Sequence, residues 1–460
     1  MSLRPYAEYK DSGVAWLGKV PAHWEVKRLK QLIHGVESGV SVNAIDVPAV
    51  GSEIGVLKTS CVSSGFFDPF ENKAVLLEEY DRVSCPVRKN TLIVSRMNTP
   101  ALVGAAGFVT QDYPDLFLPD RLWQIGFKDI STAFLHYWTQ NKTYRAQVEM
   151  ACSGTSASMQ NLGQDQFGNF WLACPCADET VAIAAFLDHE TAKIDALITE
   201  QEKLIALLAE KRQAVISHAV TKGLNPVAPM KDSGIAWLGE VPAHWEVARI
   251  KKAVATIGQG WSPLCESYPV ESADEWGVLK VGCVNGGTFT PEENKKLPEE
   301  FSPEPLLAIR KDDLLISRAN TRELVGSAAV AEQNYPNLLL CDKLYRLRVK
   351  ANSLLPQFIA LFLASNRGRG QIELAASGAS SSMLNIGQAV ILDLPIPYPS
   401  ENEQRQICLH VKNATAKLDM LRDEAGAAIS LLKERRAALI SAAVTGKIDV
   451  RNWQPEASAA

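Results

Sequence analysis

The sequence predicts an α+β fold: two pseudo-symmetric mixed α/β domains separated by an antiparallel two-helix coiled coil. Three observations predict it. A duplication runs through almost the whole chain, each copy opens with short apolar runs between turn-forming residues, and each copy closes on a long Ala-, Leu-, Glu- and Lys-rich stretch.

The duplication is plainest near the start of each copy. Residues 11–30 read DSGVAWLGKVPAHWEVKRLK and residues 232–251 read DSGIAWLGEVPAHWEVARIK, identical at 16 of 20 positions. GVLKTSCVSSG from Gly55 pairs with GVLKVGCVNGG from Gly277. LIVSRMNTPALVG from Leu92 pairs with LLISRANTRELVG from Leu314. LPDRLWQI, SGTSASMQNLG and ETAKIDALI pair with LCDKLYRL, SGASSSMLNIG and ATAKLDMLR. The offset drifts by only about three residues, so few insertions separate the copies. A period above 200 residues is too long for a solenoid, whose units run about 20–50 residues. Each copy is therefore a domain with an appendage, divided as 1–177 (first domain), 178–222 (first long helix), 223–400 (linker and second domain), 401–447 (second long helix) and 448–460 (tail).

In the domains, residues 91–94 and 314–317 are Val-, Ile- and Leu-rich between polar clusters, as buried strands are. Residues 134–147 and 358–373 have helical spacing. In the first appendage, Leu187, Ile194, Leu197, Leu204, Leu208 and Val215 recur at steps of three, four and seven. Val411, Leu418, Leu421, Ala428, Leu432 and Leu439 hold the matching positions. A helix of about 40 residues is roughly 60 Å long and leaves an apolar stripe in water unless paired, so each predicts the other as its partner. Gln201, Lys211 and Arg435 interrupt the seam and read as register devices. Gly223, Pro226 and Pro229 end the first helix and stiffen the linker.

Composition narrows the function classes. No apolar run approaches the roughly 20 residues of a membrane span, and residues 1–10 lack the apolar core of a signal peptide, so no membrane partner and a cytoplasmic location are expected. The nine cysteines are scattered without metal-ligand spacing and read as reduced thiols, and no metal site is expected. A net charge of −5 weighs against nucleic acid unless the basic residues gather on one face or partners supply more.

Together, DSGVAWLGKVPAHWEVKRLK, TKGLNPVAPMKDSG, SRANTRELVG, LCDKLYRL and the helix ends EKRQAVISHAVTKGL and ERRAALISAAVTGKI resemble the specificity subunits of type I restriction–modification enzymes. The resemblance covers nearly the full chain. It implies two target-recognition domains, each reading half of a split sequence in double-stranded DNA, with the helices as spacer and docking site. It also implies partners: two methyltransferase subunits that use S-adenosylmethionine on adenine, and endonuclease/translocase subunits that use ATP and Mg.

The chain's own residues point to no catalysis and no bound cofactor. It has no phosphate loop, since Thr445-Gly446-Lys447 lacks the leading glycine and following hydroxyl, and no Asn-Pro-Pro-aromatic tetrapeptide. Phe67-Asp68-Pro69-Phe70 is matched by Phe289-Thr290-Pro291-Glu292, so its acid is absent from one copy and a turn explains it. His23 and His244 sit beside Trp24 and Trp245, as packed histidines do.

Features shared by both copies serve what both domains do, and divergent ones serve what each reads alone. Ser95, Arg96, Asn98 and Thr99 match Ser317, Arg318, Asn320 and Thr321, each set just past a strand. A guanidinium and small donors there suit a phosphate or a guanine edge, and equally the arginine suits a brace to Asp120 or Asp342. Ser153, Thr155 and Ser156 match a loop holding Ser377, Ser380 and Ser381, which suits phosphates or helix capping. Lys58 and Lys280 are weaker cationic candidates, and Arg367 and Arg369 occur only in the second copy. Residues 37–53 and 259–275 diverge between matched blocks; they are either base-reading loops or drifted surface, and Trp261 is a stacking or wedging candidate. The competing function is a two-headed scaffold that binds protein alone.

Overall fold

The computed structural model describes residues 4–156, 159–272, 274–380 and 383–454. Two compact units emerge, one comprising residues 1–201 with 427–460 and the other residues 202–426. Each division falls inside a long helix, so each unit owns half of both.

Each unit is built on a four-stranded antiparallel sheet. In the first the order is Ala106–Val109, Thr91–Ser95, Leu122–Phe127, Ile33–Glu37. The second repeats it with Ala328–Val330, Leu314–Ser317, Leu344–Val349, Val254–Gln259. The continuous apolar run of the central strand follows from burial on both faces. Leu92 and Val94 enter one core and Ile93 another; Leu314 and Ile316 likewise face one core and Leu315 the other.

A second sheet carries the divergent segments. In the first unit it has five strands, with Tyr113–Phe117 parallel to Gly55–Leu57 and Ala44–Ile45 added at the edge against Asn72–Val75. The second unit's sheet has four strands, and among the described residues 259–275 add none beyond Gln259. The duplicated domains therefore differ where their sequences do.

The predicted helix over 134–147 is two helices, Thr132–Thr139 and Lys142–Ala151, because the Asn141 side chain accepts from the Thr143 N–H and starts a new N-terminus. Ser365 does the same between Pro356–Ala364 and Asn366–Ala375, accepting from Gly368 N–H.

The long helices run Ala177–Lys222 and Glu401–Val444. In the first unit, Ile183 and Leu187 from early in one helix share a core with Ile440, Ala443 and Val444 from late in the other. In the second unit, Ile216, Ala219 and Val220 meet Ile407 and Val411. Early residues face late ones each time, so the pairing is antiparallel. The seam differs in detail from the predicted one. Leu187, Ile194, Leu208, Val411 and Leu418 are buried, whereas Leu197, Leu204 and Leu421 are exposed, and Val215, Leu432 and Leu439 are half-buried. Ile216 and Ile440 take the buried places beside Val215 and Leu439, because the helix ends pack on their domain as well as on each other. The cross-helix ion pairs sit one residue past Lys211 and Arg435, which are exposed: Arg212–Asp419 at 3.4 Å and Arg436–Asp195 at 3.0 Å. Both pairs are half-buried and join the two helices at one alignment, so they select register.

What holds each helix pair to its domain is the repeated PAHWEV segment. Trp24 is fully buried, and its Nε1 donates to Glu179 Oε1 at 3.1 Å, near the start of the first long helix. His23 and the Tyr6 hydroxyl reach the same carboxylate at 2.9 and 2.7 Å. Trp245 and His244 meet Glu403 at 3.2 and 2.7 Å. The other helix ends there too. Gly446 and Gly223 turn it off with positive φ (+71° and +74°), and a side chain at either would press on Trp24 or Trp245. The two histidines thus orient a helix-end carboxylate, and burying each indole is worth on the order of 5 kcal/mol.

Candidate nucleic-acid interface

The shared polar motifs converge on a three-stranded sheet in each unit. Strand Met159–Asn161 lies between Met97–Asn98 and Ser153–Ser156, with Met97 opposite Asn161 and Ser156 opposite Met159. Met383–Asn385 lies between Ala319–Asn320 and Ser377–Ser380 in the same way. Two motifs about 60 residues apart in sequence are thereby joined by a strand that sequence reasoning missed. Three residues without alternation give no period to find.

Within this sheet the candidates divide. Ser95 and Ser317 are 0% exposed and accept from the side-chain amides of Asn98 (3.2 Å) and Asn320 (3.5 Å). Those asparagines in turn accept from the Thr99 and Thr321 N–H groups at 2.8 and 2.9 Å. The buried serines therefore shape the turn and have no route to a duplex, which corrects their place among the contact candidates. Thr99 and Ser377 are exposed; Asn98, Asn320 and Thr321 are half-buried. The backbone of Ser153, Thr155, Ser156 and Ser380 forms the outer strands, while Ser381 lies outside the described residues.

Arg96 and Arg318 are half-buried, and among the described residues neither forms an ion pair with Asp120 or Asp342. Arg96 lies over the Trp123 ring at 5.8 Å, its Nε buried without a hydrogen-bond partner. Asp120 instead accepts from the Ser41 hydroxyl. Arg318 donates to the Asp342 backbone carbonyl at 3.2 Å. The carboxylate brace that the sequence allows is thus not formed, and Arg96 keeps hydrogen-bonding capacity in reserve.

Arg369 has a counterpart after all. Arg145 donates to the carbonyls of Val103 (2.6 Å) and Pro100 (2.7 Å), and Arg369 to those of Val325 (2.5 Å) and Arg322 (2.8 Å). Both pin the loop after the SRxNT turn, leaving Arg367 as the unmatched cation. Lys58 is tied to Asp46 at 3.3 Å and Lys280 approaches Glu293 at 3.9 Å, so both are spent largely on their own sheet.

The divergent segments are anchored alike. Buried Asn72 accepts from Ala49 N–H at 2.8 Å and buried Asn294 from Val270 N–H at 2.9 Å. Gly39 and Gly260 lie so close to the Leu118 and Leu340 carbonyl oxygens that a Cβ would sit 1.5 and 1.9 Å away. Between fixed anchors the residues are free to differ. Trp261 is not a free wedge: it is half-buried, its backbone N–H donates to the Leu340 carbonyl, and its ring meets Phe301 edge-on at 6.2 Å.

Among the described residues no cysteine stands out as a nucleophile. Burial raises the thiols of Cys61 and Cys283, and pushes Cys341 up to about 11, opposite to what a reactive cysteine needs. Among the described residues no group of acidic, His or Cys side chains is placed to hold a metal, and no helix is long and apolar enough to cross a membrane.

Comparison with known proteins shows what the chain is similar to. Residues 266–424 match the family described as type I restriction modification DNA specificity domain. The EcoEI type I specificity subunit of Escherichia coli is 27% identical over 48% of this chain, a stretch that spans 37% of that protein. The MjaVIII specificity subunit of Methanocaldococcus jannaschii is 22% identical over 94% of this chain and 95% of its own length. A solved chain from a type I R-M system superposes with a TM-score of 0.68 at 16% identity, covering 93% of this chain and 99% of that one, and so shares its fold. Motif, fold and comparisons agree in what this chain is similar to, the specificity subunits of type I restriction–modification enzymes.

Proposed function

We propose that the chain is a non-catalytic, sequence-specific DNA-binding subunit that directs a type I restriction–modification complex to a bipartite target. Each domain reads one half-site in double-stranded DNA, and the length of the long helices sets the spacing. The observation that carries this reading is the twofold occurrence of one small polar sheet, each beside its own divergent, firmly anchored segment. Repeated polar groups suit repeated backbone contacts, and divergent segments suit unlike base sequences.

Adenine methylation and ATP-dependent cleavage fall to partner subunits. Two methyltransferase subunits would bring S-adenosylmethionine, and endonuclease/translocase subunits ATP and Mg, in the cytoplasm. Exposed Leu197, Leu204, Leu207, Leu421 and Leu431 on the long helices supply apolar surface for such partners. Partner cations also answer the net charge of −5.

The test is binding of duplex DNA by the chain together with its methyltransferase partner across a salt series. Affinity that falls steeply with salt and discriminates between sequences is expected. Protein–protein assembly without any DNA shift would establish the scaffold instead.

A further inference from the structure

Both units share the serine–arginine turn, yet its arginine is held differently in each. In the second unit Arg318 donates to the Asp342 carbonyl at 3.2 Å and so braces its own loop. In the first, Arg96 lies over the buried Trp123 ring at 5.8 Å, where the second unit has Tyr345. Among the described residues the Arg96 guanidinium makes no hydrogen bond and no ion pair, and its Nε is buried without a partner. Unpaired donors of this kind are unfavourable, and an incoming acceptor relieves them.

The difference traces to the divergent segment. In the first unit the Ser38 hydroxyl reaches the Asp120 carbonyl at 3.3 Å, and the Ser41 hydroxyl donates to the Asp120 carboxylate. Residues 37–53 thereby engage both groups of Asp120 to which Arg96 could otherwise turn. Gly39 and Gly260 hold equivalent places against the Leu118 and Leu340 carbonyls, so Gln259 stands where the first unit has Ser38. Among the described residues Gln259 makes no hydrogen bond to Asp342, whose carbonyl is left to Arg318. Arg121 adds a second cation beside Arg96. It is exposed, forms no ion pair among the described residues, and its carbonyl accepts the Arg96 backbone N–H at 3.0 Å.

We infer that Arg96 is a DNA-contacting residue of the first domain, freed for that role by Ser38 and Ser41 as positioning residues, whereas Arg318 is a brace. The inference rests on the DNA-binding reading above. It adds a rule for how a divergent segment acts, by deciding whether the shared arginine is spent on the protein or left for the duplex. The form of the side chain names the acceptor. A planar fork stacked on an indole offers parallel N–H groups, and the matching acceptor pairs of DNA are the oxygens of a phosphate or the O6 and N7 edge of guanine. Two neighbouring arginines against the one acid Asp120 leave an excess of positive charge that complements either.

The test uses the full chain assembled with its methyltransferase partner, and duplexes carrying the motif that wild-type methylation reveals. Arg96→Met, which keeps a stem on Trp123, should weaken binding about tenfold, and Arg318→Met by much less. Arg96→Lys, which keeps the charge without the fork, should fall between wild type and Arg96→Met. A phosphate contact shows as a uniform loss across sequences with the salt slope lowered by about one. A guanine contact shows as a loss confined to one position of one half-site, where other bases become tolerated. Ser38→Ala with Ser41→Ala should also weaken binding, and adding Arg96→Met should then cost little more, because the serines act through the arginine. Affinity, motif and salt slope all unchanged in Arg96→Met, or an equal loss in Arg318→Met, overturns this inference alone. A wild-type assembly without sequence-dependent duplex binding overturns the underlying reading as well.

Discussion

A carboxylate near the start of each long helix decides how firmly helix and domain hold together. The Glu179 side chain is 3% exposed and receives Tyr6, His23 and Trp24, whereas that of Glu403 is 31% exposed and receives His244, Trp245 and Ser400. Removing the carboxylate strands its donors, at about 1–3 kcal/mol for each one left buried. Glu179→Ala is therefore expected to lower stability by about 2–4 kcal/mol, and Glu403→Ala by less, in urea denaturation followed by tryptophan fluorescence. Equal losses would contradict the difference in burial. Burial acts to raise the Glu403 carboxyl, but hydrogen bonds from His244, Ser400 and Trp245 outweigh it and hold the pKa at about 2. A depressed carboxyl stabilises the fold fully above its unfolded value, near 4.3, and the contribution disappears as pH falls through about 2. Hydrogen exchange at residues 401–410 should accelerate across that window in the wild type and not in Glu403→Gln. The glycine contacts give a third expectation. Gly39→Ala drives a methyl into the Leu118 carbonyl and should cost about 1–3 kcal/mol, with exchange rising at residues 37–53, since only a backbone shift relieves the clash. An unaltered exchange pattern would show the anchor to be dispensable.

Among elements, the central strands and long helices were legible because burial imposes a pattern on them. LIV at 92–94 and LLI at 314–316 face apolar layers on both sides, and nothing polar fits there. The seam was legible only in part: Leu187, Ile194, Leu208, Val411 and Leu418 are buried, whereas Leu197, Leu204 and Leu421, nearer the middle of the helices, are exposed. A repeat of about 3.5 residues describes two helices meeting each other. Ile216 and Ile440 are buried because each helix end also meets a domain. The break at Asn141 was hidden for another reason: apolar spacing continues across it, and one side-chain cap starts the second helix. The candidate interface was half legible. Its outer strands announced themselves through shared polar residues, but the buried serines carry the same letters as exposed ones, and burial comes only from the fold. Helix length leads to an expectation of its own. Deleting four residues within 201–210 shortens the first helix by about 6 Å and rotates its C-terminal half by about 40°. The tolerated spacing between half-sites should change or binding should be lost, measured by selection from random duplexes. Unchanged spacing would remove the helices from the ruler role.

Over the whole molecule, duplication joins sequence to proposed function. One domain plan, repeated with its helix, gives two frameworks that share a four-stranded sheet, a polar three-stranded sheet and a Trp–Glu clasp. They differ in the divergent segment. A net charge of −5 becomes compatible with DNA binding if contacts are few per unit and partners add cations. The central claim is that each domain reads its own half of the target. Its most direct test is to map methylated bases genome-wide in cells carrying the native chain and in cells where residues 37–53 come from another such subunit. The account predicts a two-part motif in which only one half changes. An uninterrupted motif, or a swap that alters both halves or neither, would contradict it.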